Sequence, residues 1–500
     1  VSTAALPIDR EAHDSSPAPL WRSALVGVAA LVLYLLLLQP QPHGDGVTYI
    51  WFIQHGKLLG HHLLYLPMLA SFAWLVEPFG VDARSASFLF SAVCAGGAVF
   101  LFDRLIRSAQ ALCPAQPGSI LPTLLFALSS ATLFFATTAE NHAHHLFWCA
   151  ALLLTLDRVL GSDPGRRGRL ALWPLATLLL LAVYTSHSSS LLLWPALLLW
   201  LHGLGGRLLR LPSLGEVLRA LVFFAPVLLF KFGEPWIKAR VLGGGDEYLA
   251  DGHTQFALGL LDWRDLGTWA RYLTWELLLP LGAVLLAGAL AWRGKRLAVA
   301  LLALLPYLLF FGHWNVYEYG AYYLAPLPVL ILLLAASWAQ LKSPLRFAVL
   351  VLLLGTGAYG VHNVLTYATR DPQAEWFWAR DLQEITTPQS TVIVWHGYRA
   401  FTLMVDTKID DVLGLENWWV FLEPHIQAHG LPALEAYIKS RMPELWPIWT
   451  REGRGPVFVG DKALHEMEAK LPPLLTFLRK HADWSPIEHG IVRGHLLRAR

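Results

Sequence analysis

Two short polar runs interrupt an otherwise apolar sequence, His43-Gly44-Asp45-Gly46 and Glu140-Asn141-His142-Ala143-His144-His145. His187 closes another apolar run, and Trp314-Asn315-Val316-Tyr317-Glu318-Tyr319-Gly320 separates two more. Carboxylates and imidazoles are the side chains that move protons, ligate metals and hold polar substrates. Where such groups sit at membrane depth they are costly to keep, and a site is the default explanation.

Each acid also has a plainer reading. Asp45 precedes the aromatic-rich run Gly46–Ile53 and is a favoured helix N-cap. Glu140 stands at the start of an apolar helix, where the dipole favours a carboxylate. Glu318 reads equally as a solvated loop acid. Against these stands the catalytic reading, with Asp45 and Glu140 as its two carboxylates.

His142 and His145 share a helical face, but the sequence has no HExxH and no two-metal acidic cluster. Structural or substrate-binding roles therefore suit the histidines, His142 and His187 in particular, better than a catalytic metal. A divalent cation is the one cofactor left open. Lys57, Arg84, Lys231, Lys238 and Arg240 either snorkel to lipid phosphates or hold the phosphate of a lipid-linked substrate. Gly243-Gly244-Gly245-Asp246 lacks the GxxxxGK[ST] pattern of a phosphate loop and reads as a hinge.

The elements that position these groups are membrane helices. The chain has 500 residues, mean hydropathy +0.46, 55% hydrophobic and 15% charged residues, against roughly a quarter charged in an average globular chain. That composition excludes a soluble enzyme, a fibrous protein and a disordered chain. A net charge of +2 without a basic patch excludes a nucleic-acid partner. Cys94, Cys113 and Cys149 form neither a disulfide pattern nor a zinc motif.

Residues 1–20 read as a disordered tail, and 21–38 as an uncleaved first anchor. Further spans are expected over 85–103, 120–138, 142–156, 170–185, 189–203, 217–232, 271–292, 297–312, 322–339 and 345–362, eleven in all. Arginines and lysines concentrate in alternate connections: 104–107, 158–169, 207–210, 293–296 and 342–346. The positive-inside rule makes these cytoplasmic. The long connections 39–84 and 233–269, the polar runs above and residues 364–500 then lie outside. Residues 364–500 alternate strand-like and helix-like runs and read as a small extracytoplasmic α/β domain.

The runs His62-Leu63-Leu64-Tyr65-Leu66-Pro67, Phe79-Gly80-Val81-Asp82-Ala83-Arg84-Ser85-Ala86-Ser87 and Phe102-Asp103-Arg104-Leu105-Ile106-Arg107 resemble the amino-terminal half of the GT-C glycosyltransferase superfamily. The likeness is greatest to its protein O-mannosyltransferase and aminoarabinose-transferase branch. Tyr322-Tyr323-Leu324-Ala325-Pro326-Leu327-Pro328 is similar to a later span of that branch, with Tyr322 where the family carries arginine.

The resemblance implies a polytopic α-helical membrane fold and transfer of a sugar from a polyprenyl-phosphate donor to an acceptor hydroxyl. It implies Asp45 as first acid and base, Glu140 as second acid, and Glu318 in a later polar loop. His142, His187, Tyr322 and the basic residues would contact substrate, and the 233–269 connection would close over the donor. Membrane lipids are the other expected partners; sugar and acceptor stay open. A transporter or lipid flippase, or a non-catalytic envelope-assembly subunit, is the alternative. The excess of Arg over Lys suits a GC-rich bacterium and its cytoplasmic membrane.

Overall fold

The computed structural model describes residues 19–56, 62–108, 120–161, 172–202, 212–241, 266–314, 318–338, 341–369, 372–409, 411–416 and 431–500. Lys57, the Gly243–Asp246 hinge and most of the 1–20 tail lie outside these residues, as does the side chain of Lys238.

The first half is a helical bundle. Its elements are α1 (Leu20–Leu36), α2 (Gly46–Gln54), α3 (Tyr65–Val76), α4 (Ala83–Ser108), α5 (Leu121–Ala127), α6 (Ser130–Ala136), α7 (His142–Gly161), α8 (Leu172–Ser186), α9 (Trp194–Leu201) and α10 (Leu214–Val241). There follow α11 (Leu266–Tyr272), α12 (Leu279–Ala291), α13 (Gly294–Trp314), α14 (Leu327–Ser337) and α15 (Ser343–Thr369). Among the described residues, five stretches are long and apolar enough to cross a membrane: Ala83–Arg107, His142–Leu160, Leu266–Ala291, Gly294–Gly312 and Ser343–Thr366. Shorter apolar helices such as Leu20–Leu36 and Leu172–Ser186 pack among them.

The bundle turns large apolar side chains outward. Leu25, Val28 and Val32 on α1, Leu221, Val222 and Leu229 on α10, and Val351 and Leu354 on α15 are exposed. Water would penalise such faces, whereas hydrocarbon does not. With no hydrophobic drive between helices in lipid, contact depends on close packing. A Cβ on Gly27 of α1 would lie 2.7 Å from that of Phe100 on α4, so small residues set this crossing. At the Arg-rich end, buried Asp103 accepts from Ser23 Oγ (2.7 Å), Thr123 Oγ1 (2.9 Å) and Arg107 Nε (2.6 Å), joining α1, α4 and α5.

Two expected spans and one expected connection differ in form. Residues 120–138 are not one helix but α5 and α6, broken at Leu128–Ser129, where Ser129 Oγ caps α6 by accepting from the Thr132 N–H. The expected 189–203 span opens as a 3-10 turn, Ser188–Leu193, before α9. The 233–269 connection is in its first part helix, because α10 continues to Val241; Lys231, Lys238 and Arg240 are therefore helical residues.

The C-terminal residues form a three-layer α/β unit. Strands β1 (Thr391–Val394), β2 (Asp411–Gly414), β3 (Val457–Gly460), β4 (Ala482–His489) and β5 (Val492–Ala499) lie in the order β2-β1-β3-β5-β4. The first three are parallel, and β5 and β4 run antiparallel. Alternate residues of β1 feed two cores. Ile393 packs under α18 (Leu431–Trp449), α19 (Asp461–Lys470) and α20 (Pro472–His481), and Val392 and Val394 under α16 (Pro372–Ile385) and α17 (Gly397–Asp406). A strand covered on both faces is buried throughout, as β1 is. This unit rests on the bundle through α17, whose Val405 packs against Ile50, Phe88 and Ala139.

Candidate active site

The polar runs meet at the end of the bundle opposite the Arg-rich connections. The segment after α1 lies on the turn between α6 and α7. Gln39 N–H donates to the Thr137 carbonyl (2.9 Å) and His43 N–H to Thr138 Oγ1 (3.0 Å). Gly46 then passes so close to this turn that a Cβ there would fall 1.7 Å from the Ala139 carbonyl oxygen. This contact brings Asp45, at the start of α2, to Glu140.

Asp45 makes no side-chain cap to α2, so capping is not what holds it there. Glu140 is buried and accepts the backbone N–H groups of Asn141 (2.9 Å) and Asp45. Burial, then the nearby charges of Asp45 and Glu318, hold its carboxyl well above the usual carboxylate range; the two N–H donors oppose the rise. Burial, then Asp45 and Glu276, push Glu318 up to about 8. The three acids of the polar runs form one mutually repelling group. His43 closes one side against Phe134 and Tyr319, and burial pushes its imidazole down to about 4.

A second cluster adjoins the first through Asn141, whose side-chain amide lies 2.9 Å from His62 Nδ1. The rings of His62, His142 and His145 surround that of His187 at 5.3, 5.3 and 5.4 Å, and Tyr322 lies 5.8 Å from His142. His187 Nδ1 is fixed by Ser189 Oγ at 2.7 Å. His145 Nε2 and Ser190 Oγ, both buried, have no hydrogen-bond partner among the described residues. Such atoms are costly to bury and are ready to bond a polar ligand. Among the described residues no three His, Cys, Asp or Glu side chains are grouped to hold a metal ion.

The basic residues are spread more widely. Arg84 Nη2 donates to Pro40 O (3.0 Å) and Gln41 Oε1 (2.8 Å), bracing the segment that carries Asp45. Lys231 pairs with Glu234 at 2.9 Å; Glu234 also accepts from Tyr184 Oη, one helical turn before His187. Arg240 lies over the Trp236 ring, away from both clusters in its bonding. The structure thus gathers Asp45, Glu140 and Glu318 in one group and His142, His187 and Tyr322 in an adjoining one.

Glu276 joins the acids from a place where sequence reasoning did not look. It is the single acid of the apolar stretch 266–291, set on a π-helical turn, Leu273–Leu278, between α11 and α12. Its intramembrane position was the available signal, and π-turns recur at functional sites.

No family model matches the chain, and no curated protein matches its sequence. Solved structures do match. The structure of ArnT from Cupriavidus metallidurans bound to undecaprenyl phosphate is 12% identical, with TM-score 0.51, over 96% of this chain and 98% of that one. The same protein in its apo state matches at 12% identity and TM-score 0.51, over 95% and 98%. The chain therefore has the fold of ArnT over nearly its whole length.

Proposed function

We propose that this protein is a membrane glycosyltransferase that moves a sugar from a polyprenyl-phosphate donor to an acceptor hydroxyl at the outer membrane boundary. The observation that carries the reading is the convergence of Asp45, Glu140 and Glu318, beside a histidine cluster, in a bundle with the fold of a protein crystallised with undecaprenyl phosphate.

The proposed step is a displacement at the anomeric carbon. The acceptor oxygen forms a bond to that carbon as its bond to the phosphate oxygen breaks, and polyprenyl phosphate leaves with the electron pair. A phosphate monoester needs its developing charge held rather than a strong acid to protonate it. The acceptor hydroxyl does need a base, and Asp45 takes its proton. Glu140 then orients sugar or acceptor hydroxyls. His142, His187 and Tyr322 line the donor side, and Lys231 is linked to the helix that ends before His187 through Glu234 and Tyr184. A divalent cation has no three-ligand site among the described residues, and no step depends on one.

The test is mass spectrometry of the lipids retained by purified Asp45→Asn protein and by wild type. A polyprenyl-phosphate sugar held by the variant identifies the donor and a blocked transfer. Phospholipid alone in both proteins would move the reading to a transporter or assembly role.

A further inference from the structure

Glu318 is presented by an unusual turn. Tyr319 (φ 53) and Gly320 (φ 81) are consecutive left-handed residues, a conformation a tyrosine adopts only under constraint. Successive N–H groups in such a turn point the same way and form an anion-binding concavity. Here the anion site is filled from within the chain. Glu276 Oε1 accepts the Glu318 N–H at 2.8 Å, Oε2 accepts the Gly320 N–H at 2.9 Å, and the Tyr319 N–H also bonds this carboxylate.

Two further features bind the turn to the bundle. The Tyr319 ring stacks on Phe134 at 4.1 Å. Gly320 leaves little room for a side chain, since a Cβ would lie 3.0 Å from Pro280 and 3.3 Å from Ala131. The π-turn Leu273–Leu278 is what places Glu276 at this spot within its helix. Immediately downstream, Tyr323 Oη bonds Tyr272 Oη at 2.9 Å, so the segment leading to Tyr322 is held by the same helix.

We infer that Glu276 is a positioning residue, which holds the 318–320 turn closed so that Glu318 faces Asp45 and Glu140. The role rests on the transferase reading above for its effect on rate, though the clasp itself does not. Glu276 acts through the backbone of the turn.

Four full-length proteins in one detergent test this: Glu276→Gln, Glu276→Ala, Glu318→Gln and the Glu276→Gln/Glu318→Gln double variant. Hydrogen exchange by mass spectrometry reads the amides of 318–320 directly. Exchange should quicken at least about tenfold in Glu276→Ala and less in Glu276→Gln, which keeps an acceptor oxygen, while 83–107 is unchanged. Unchanged exchange at 318–320 overturns the inference, and Glu276→Gln alone decides it if the alanine variant does not fold.

The second readout is release of polyprenyl phosphate from a polyprenyl-linked lipid extract of the source membranes. Glu276→Gln should slow release about tenfold on its own and add nothing once Glu318 is glutamine. Additive losses would make Glu276 a structural residue and overturn the positioning role. A wild-type protein that releases no polyprenyl phosphate would sink the transferase reading, while the exchange measurement still decides whether Glu276 clasps the turn.

Discussion

The backbone N–H of Asp45 donates to the side-chain carboxylate of Glu140. One acid of the site is therefore a structural anchor for the segment that carries the other. The same contact sets the half-buried Asp45 near the buried Glu140, whose charged form it opposes.

Asp45→Asn should abolish transfer, with a loss of about 10²–10⁴-fold, the usual contribution of a general base. Because the backbone N–H is unchanged and a repelling charge is removed, the variant should melt no lower than wild type. Turnover with a polyprenyl-linked lipid extract and a thermal melt check both halves. Retained turnover removes Asp45 from the chemistry.

The pH dependence of stability follows from Glu318, which the fold pushes up to about 8. Between the unfolded value near 4.5 and about 8, the folded chain holds a proton that the unfolded chain has released. Its contribution to stability is fully present below about 4.5 and is lost as pH rises through about 8. Melting temperature should fall across this window in wild type, and less steeply in Glu318→Gln. Parallel profiles for the two proteins would contradict the assignment.

Gly46→Ala should be more damaging than its size suggests. A Cβ 1.7 Å from the Ala139 carbonyl cannot be accommodated without moving α2 off the 137–140 turn. The expected cost is about 1–3 kcal/mol, as for overpacking, with a loss of turnover because Asp45 moves away from Glu140. Serine at this position should behave likewise. A fully active Gly46→Ala protein would show that α2 can shift without consequence.

Val405→Asp tests how the C-terminal unit bears on the site. Val405 belongs to α17 yet packs with Ile50 of α2 and with Ala139, the neighbour of Glu140. A half-buried carboxylate against this apolar cluster should loosen α17 from α2. Limited proteolysis should cut between the bundle and the sheet unit faster, and turnover should fall about tenfold. The sheet unit itself should stay folded, since its two cores do not use this side chain.

The membrane bundle was legible in the sequence because long apolar runs, with arginines concentrated in alternate connections, admit few other arrangements. Asp45, Glu140 and Glu318 were legible as well, since each polar run stands out against its apolar surroundings. Composition and charge carried that information locally.

Tertiary structure alone decided the rest. The break between α5 and α6 and the extension of α10 depend on neighbours that residue periodicity does not encode. Asp45 has two readings in sequence, and only the close approach of Gly46 to Ala139 brings it to Glu140 instead of leaving it as a cap. Glu276 was visible as an intramembrane acid, but its purpose depends on a π-turn and on a left-handed turn in another segment. Each such meeting depends on long-range packing that fixes two backbones within hydrogen-bonding distance, and no local pattern records that distance.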